Sequence, residues 1–309
     1  MEALEGLKRS IHVTSEMQSL VKTMKVLAGL NIRQYERAAH SVAAYNRTIE
    51  MGLQVALRRL SEPLLPPQMP DNKLGVIVFG SDQGLCGKLN DVIVSHALRA
   101  LRSLERRRTA ELIIAVGQRA AGQLAASDKT VEATLEVPGS TAGITTTVHE
   151  LLQRIEEART RRGIGMFVLF YCKLVGGVFY RPSGVRLLPV DAEWIRSLKA
   201  KPWHSHVIPA FTLEPERLFH SLIREYLFGT LYGAAAESLA SENAARLASM
   251  QVAERNIEDR LKALTSEFHQ SRQAAVTSEL LDIVSASEAL AAKDARTAKP
   301  PDHDASIAA

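Results

Sequence analysis

Residues 239–290 read LASENAARLASMQVAERNIEDRLKALTSEFHQSRQAAVTSELLDIVSASEAL, and the pattern in this stretch decides the fold. Leu247, Met250, Ile257, Leu261, Leu264 and Phe268 alternate at three- and four-residue steps, with Glu254 the one polar intruder and Ala275 in phase. That alternation is the seam of a coiled-coil helix. The segment begins upstream near Leu213, with Pro215 tolerable in a first turn, and no proline interrupts it before about Leu290. At 1.5 Å per residue the spacing predicts a helix roughly 115 Å long, several times the ordinary globular helix.

A second segment of the same kind opens the chain. From Leu4 to about Leu60 there is no proline, and the only glycines are Gly6, Gly29 and Gly52. Tyr35, Ala38, Val42, Tyr45, Ile49, Gly52 and Ala56 keep the heptad alternation, predicting a helix of roughly 85 Å. Shorter helices broken at Gly29 or Gly233 remain open on propensity alone. The prolines of SEPLLPPQMPDN, residues 61–72, end the first helix by removing donors and clashing with the preceding turn. Helices drawn from the two ends of one chain pair most simply as antiparallel neighbours.

Between them, LGVIVFG (74–80), ELIIAVG (111–117) and GMFVLFYCK (165–173) are short, apolar and β-rich, and read as buried strands. Helical stretches fall at about Lys88–Leu104, Gln118–Ala126 and Thr145–Arg161, so strands alternate with helices around a parallel core sheet. VGGVFYRPSGVRLLPVD reads as a hairpin turning at Pro182-Ser183-Gly184. The fold class is therefore α/β, with a long antiparallel coiled coil of N- and C-terminal helices and a central Rossmann-like α/β domain. The expected divisions are a coiled-coil helix at 1–60, a Pro-rich linker at 61–72, an α/β foot at 73–210, a second coiled-coil helix at 211–290 and a disordered tail at 291–309.

Composition agrees with long packed helices. Of 309 residues 46% are hydrophobic but only 5% aromatic, which suits narrow helical seams better than a large sheet-rich core. Cys86 and Cys172 lie far apart without metal-ligand spacing, and no apolar run approaches the length of a membrane span. Met1 leads into an amphipathic helix with acidic residues, unlike a targeting segment, so a bacterial cytoplasmic location is expected. The net charge of +4 permits acidic partners. Arg106-Arg107-Arg108 and Arg159, Arg161, Arg162 could touch phosphates or simply sit at helix ends.

Sites for chemistry are few. GSDQGLCGKLN, residues 80–90, joins a strand to a helix as phosphate-cradling turns do. A Walker loop, however, would need glycine at Asp82 and Ser or Thr at Leu89. The stretch reads better as a tight turn in which Gly84 and Gly87 supply backbone freedom. His204 and His206 are the one close histidine pair, and no carboxylate or cysteine joins them at metal spacing. No catalytic, cofactor-binding or metal-binding residue is assigned.

These strings, with LVKTMKVLAG at 20–29, resemble the gamma subunit of F-type ATP synthases from about residue 3 to 290. Residues 239–290 are similar to that family's signature helix, SDQGLCGKLN (81–90) to its SDRGLCGGLN turn, and LVKTMKVLAG to its ITKAMKMVAA. The resemblance implies a non-catalytic rotor subunit that couples proton or sodium flow through a membrane c ring to ATP synthesis or hydrolysis in a ring of alpha and beta subunits. It implies contacts with that ring at Met24, Lys25, Arg246, Arg272, Gln273, Thr277 and Glu279. Phe211, Thr212, Leu213, Glu214 and Pro215 match the region resting on the c ring, and the epsilon subunit is a further implied partner. The implied location is peripheral, on the cytoplasmic face of the bacterial membrane. Lys88 in place of a glycine, and Gly29-Leu30-Asn31 in place of the family's small-small-lysine run, mark a divergent branch. No cysteine lies between Val190 and Pro209, where chloroplast relatives carry a redox insertion. Neither nucleic acid nor a cofactor is implied, although the basic charge leaves open a nucleic-acid-binding protein with a helical-hairpin arm.

Overall fold

A computed structural model describes residues 2–60, 73–105, 108–177, 179–203 and 206–297. The linker at 61–72, Arg106, Arg107, His204 and the chain after residue 297 lie outside the described residues.

The first helix, α1, runs Glu2–Arg59 without a break at Gly29 or Gly52. The last, α6, runs Pro215–Thr297, passing Gly229 and Gly233 and continuing beyond the end expected near Leu290. Between them come β1 (Lys73–Phe79), α2 (Leu89–Leu104), β2 (Thr109–Val116), α3 (Gln118–Ala125), β3 (Ala133–Leu135), α4 (Thr141–Arg162), β4 (Met166–Val175), β5 (Phe179–Leu188) and α5 (Ala192–Ala200). The three-residue β3 and α5 carry patterns too short to stand out in the sequence.

The chain divides into two units, and the division cuts across the long helices instead of falling at their ends. The larger unit, Lys22–Val252, holds the sheet, in the order β3-β2-β1-β4-β5. β1 pairs in parallel with β2 and β4, β2 in parallel with β3, and β5 antiparallel with β4. Strand side chains alternate between faces. Ile77, Phe79, Ile114, Val116, Phe167 and Leu169 face a core shared with α1, α4, α5 and α6. Val76, Val78, Ile113, Ala115, Val168 and Phe170 face a second core under α2 and α3.

The β4–β5 turn is not at Pro182-Ser183-Gly184, which lie inside β5 opposite Cys172, Tyr171 and Phe170. It is at Gly176-Gly177, with φ of 62° and 75°. Two successive residues at positive φ favour the paired glycines. Pro182 is tolerated because β5 is the sheet edge, where a missing N–H need not interrupt a ladder.

Within this unit α1 and α6 run antiparallel: Asn31 bonds Asn243, while Tyr45 bonds Glu225. Methyl groups built on Gly233 and Gly229 would meet Val42 and Asn46. The buried or half-buried row on α1 is Ala28, Ile32, Tyr35, Ala39, Val42, Asn46, Ile49, Leu53 and Ala56. The expected seam therefore holds at Tyr35, Ala38, Val42, Ile49, Gly52 and Ala56, with Ala39, Asn46 and Leu53 also turned inward, and it fails at Tyr45. Tyr45 is 40% exposed, its hydroxyl donating to Glu225 at 2.7 Å. The inward face is wider than a single seam because α1 meets the sheet core as well as α6, which its neighbours in sequence cannot reveal. On α6, Ala234–Ala236 and Leu239–Ala245 are buried on all sides, as expected of a helix enclosed by protein.

The smaller unit contains α1 through Val21 and α6 from Ala253 onward. Leu4, Leu7, Ile11, Thr14, Gln18 and Val21 are half-buried, as are Ile257, Leu261, Phe268 and Ser271, with Leu264 buried. From Arg272 through Leu290 every residue is exposed, including Ala275. The predicted seam thus ends one step early.

Candidate functional site

The turn between β1 and α2 is built almost wholly from its own polar side chains. Ser81 is buried, and its N–H donates to Asn90 Oδ1 at 3.0 Å, while Asn90 Nδ2 returns a bond to Ser81 Oγ at 2.8 Å. Ser81 Oγ also donates to the Gln83 carbonyl at 2.9 Å. Cys86 Sγ stands 3.3 Å from Ser81 Oγ, inside the core under α2. One carboxylate then ties the turn to two other loops: Asp82 accepts from Gln118 N at 2.9 Å and from Val137 N at 2.7 Å. Asp82 thereby caps the N-terminus of α3, satisfying one of its free amides and favouring its dipole. The positive-φ residues of this turn are Leu85 (63°) and Gly87 (58°), not Gly84. Left-handed Leu85 is unusual; the expectation for Gly84 missed it because leucine carries no turn signal.

This turn meets α6. Ala245 shares the core of Cys86 and Leu89, and a methyl on Gly87 would stand 3.2 Å from Ser249 Oγ. Just before that contact, Glu242 and Arg246 form an ion pair at 2.6 Å, their side chains only 7% and 13% exposed. Burial pushes the Glu242 carboxyl above the usual carboxylate range; Arg246 pulls it back, and Asp82 adds to the rise. Glu242 Oε2 and Arg246 Nε have no hydrogen-bond partner among the described residues. Burial, and next the Glu242 carboxylate, raise the Tyr35 phenol. From α1, Asn31 Nδ2 donates to Asn243 Oδ1 at 3.3 Å. Parts of the 81–90 and 239–290 strings thus pack together, with α1 joining them just beyond the 20–29 string. The i,i+4 spacing of Glu242 and Arg246 was visible in the sequence; their burial was not.

Other residues singled out from sequence fall elsewhere. Met24 and Lys25 are half-buried on α1. Phe211 lies under the Arg59 guanidinium, 4.8 Å from its ring centre. Thr212, Leu213 and Glu214 are exposed, Pro215 is half-buried, and the Glu214 carbonyl accepts from Leu218 N at 3.0 Å to open α6. In the smaller unit Arg272, Gln273, Thr277 and Glu279 are exposed, and Thr277 Oγ1 donates to the Gln273 carbonyl at 2.9 Å. Val276, Leu280, Leu281, Ile283, Val284 and Leu290 are exposed among them. Of the basic clusters, Arg162 grips Glu132 through two bonds of 2.6 Å and Arg159 lies 3.6 Å from Glu156. Among the described residues no helix is long and apolar enough to cross a membrane.

Comparison with known proteins assigns this arrangement. A family model described as ATP synthase matches residues 3–290, and curated relatives that match the chain are ATP synthase gamma chains. The chain belongs to the ATP synthase gamma-chain family. It is 27% identical over 299 residues to the gamma chain of Thermobifida fusca, covering 94% of this chain and 98% of that one. Its fold is similar to a chain in the Euglena gracilis mitochondrial ATP synthase structure of OSCP, F1 and c-ring, with a TM-score of 0.64, 16% identity and 99% of both chains covered. A chain of the Tetrahymena thermophila mitochondrial central stalk and c-ring matches with a TM-score of 0.52 and 20% identity, covering 76% of this chain and 99% of that one. As a gamma chain, it is a non-catalytic subunit of the complex.

Proposed function

We propose that the chain is the central stalk of a bacterial F-type ATP synthase and transmits rotation between a membrane c ring and a head of alpha and beta subunits. The observation that carries this reading is the stretch Arg272–Leu290, exposed throughout and bearing large apolar side chains at helical spacing. An isolated amphipathic helix is marginal in water, so these side chains call for a surrounding sleeve. Within such a sleeve Arg272, Gln273, Thr277 and Glu279 offer polar contacts, with Met24 and Lys25 contributing from α1. Arg246, held inward by Glu242, meets a partner only through its narrow exposed edge. Phe211–Pro215, leading into α6, face the c ring, and the epsilon subunit completes the stalk. A rotor whose successive faces differ stabilises different conformations of the subunits it touches, and that difference in contact free energy is the coupling. The chain is thereby peripheral at the cytoplasmic face of the membrane.

The test is co-expression with the organism's alpha and beta subunits, purification through this chain and an ATPase assay. An active alpha-beta assembly should copurify and should be lost when residues 272–290 are deleted. In vesicles holding the whole enzyme, Arg272→Ala with Gln273→Ala should lower ion pumping per ATP hydrolysed while the chain still folds. Elution of the chain alone, or with nucleic acid in a salt-sensitive complex, would overturn the reading.

A further inference from the structure

We propose that the groove between α4 and the α1–α6 pair of the larger unit is a docking site for an acidic amphipathic helix of a partner protein. The groove has a volume of about 990 Å³, and its apolar floor includes Ala38, Val42, Phe228 and Tyr232. It continues past Phe228 into a second hollow of about 320 Å³ lined by His149, Leu152 and Arg224. Aromatic rings line the passage: His149 and Phe228 have centroids 5.3 Å apart, and Phe228 and Tyr232 6.0 Å apart. At the open end Leu30 lies 61% exposed, so the apolar strip reaches the surface. An elongated, open-sided cleft of this kind fits a helix laid along it better than a compact ligand.

The charge around the cleft selects the partner's sign. Arg33 and Arg37 line the larger hollow and Arg224 the smaller; all three are exposed. Among the described residues none of them has a carboxylate within ion-pair reach. Among the described residues Glu225 is the one carboxylate lining either hollow, and it already accepts the Tyr45 hydroxyl at 2.7 Å. Arg33 and Arg37 stand one helical turn apart, about 6 Å along the axis. Carboxylates spaced i,i+4 beside an apolar stripe on the docked helix match that separation. This surface goes beyond the shaft reading and does not depend on it, since the cleft belongs wholly to the Lys22–Val252 unit.

The experiment uses the full chain alone and two fluorescent helical peptides. They share one leucine stripe and differ only in whether the flanking i,i+4 positions carry glutamate or lysine. By anisotropy the glutamate peptide should bind, weakening as salt rises, and the lysine peptide should bind at least tenfold more weakly. Arg33→Glu with Arg37→Glu should reverse the preference, losing roughly tenfold for the glutamate peptide and gaining for the lysine one, the scale expected when two rim ion pairs become like-charge contacts. Circular dichroism should show the same helix content in both proteins, because both arginines are exposed. Equal binding of the two peptides, indifference to the double reversal, or displacement of the glutamate peptide by Mg-ATP or inorganic phosphate would each overturn the proposal, the last by marking the cleft as a small-anion site.

Discussion

Asp82 shows how one side chain can organise three loops. Its carboxylate satisfies Gln118 N at the start of α3 and Val137 N ahead of α4, while Ser81 next to it locks Asn90. Asp82→Ala leaves two amides without their acceptor and should cost about 1–3 kcal/mol of stability in urea denaturation. Asp82→Asn, which keeps an oxygen acceptor, should recover part of the loss. Glu242 and Arg246 make a second, pH-dependent prediction. A carboxyl raised by folding binds protons more readily in the folded state, so its proton-linked stability is present below the unfolded value and lost as pH rises through the folded one. Arg246→Met leaves the Glu242 carboxylate buried without its cation. It should lower stability by about 3–5 kcal/mol at pH 7.5, with a smaller loss at pH 5, where the carboxyl takes up a proton more readily. A deficit independent of pH would show that the two side chains are not coupled through charge. Of these features, the Glu242–Arg246 spacing was legible in sequence. In sequence Asp82 stands out only as the residue where a Walker loop needs glycine, and its capping role emerges once α3 and the loop before α4 are brought beside it.

At the scale of elements, glycines in the long helices divide by what surrounds them. A methyl on Gly29 would meet nothing within 4 Å, whereas on Gly229 it would collide with the Asn46 side chain. Gly29→Ala should therefore raise stability by about 0.5–1 kcal/mol through helix propensity and reduced unfolded-state freedom. Gly229→Ala should destabilise the α1–α6 contact, a difference that paired thermal melts will separate. Both glycines look alike in the sequence, as breaks in helical runs. The helices pass through both, because helical stability in proteins comes chiefly from tertiary packing of a face and not from propensity. The same limit explains the β4–β5 turn. Pro182-Ser183-Gly184 has turn composition, yet Gly176-Gly177 makes the turn because pairing β4 in register requires the reversal there.

For the whole molecule, the two units should differ in how readily they open. The Lys22–Val252 unit holds both sheet cores, while the α6 residues from Arg272 through Leu290 are exposed throughout. In the isolated chain, amides of 272–290 should exchange fastest among the helical ones, and proteases should cut there before reaching the larger unit. Deleting 272–290 should leave the melting of the larger unit unchanged; a large fall in its midpoint would mean that its stability draws on that segment. By itself the sequence determined the two long helices, the core strands and the family, because heptad spacing, apolar runs and the strings at 20–29, 81–90 and 239–290 are local patterns carried by contiguous residues. Tertiary structure alone decided which face of α1 turns inward, that Asp82 caps α3, that Glu242 and Arg246 are buried together, and that a basic cleft opens beside α4. Each of these depends on residues distant in the chain sharing desolvated space, and burial is a property of the surroundings that no residue type or spacing specifies.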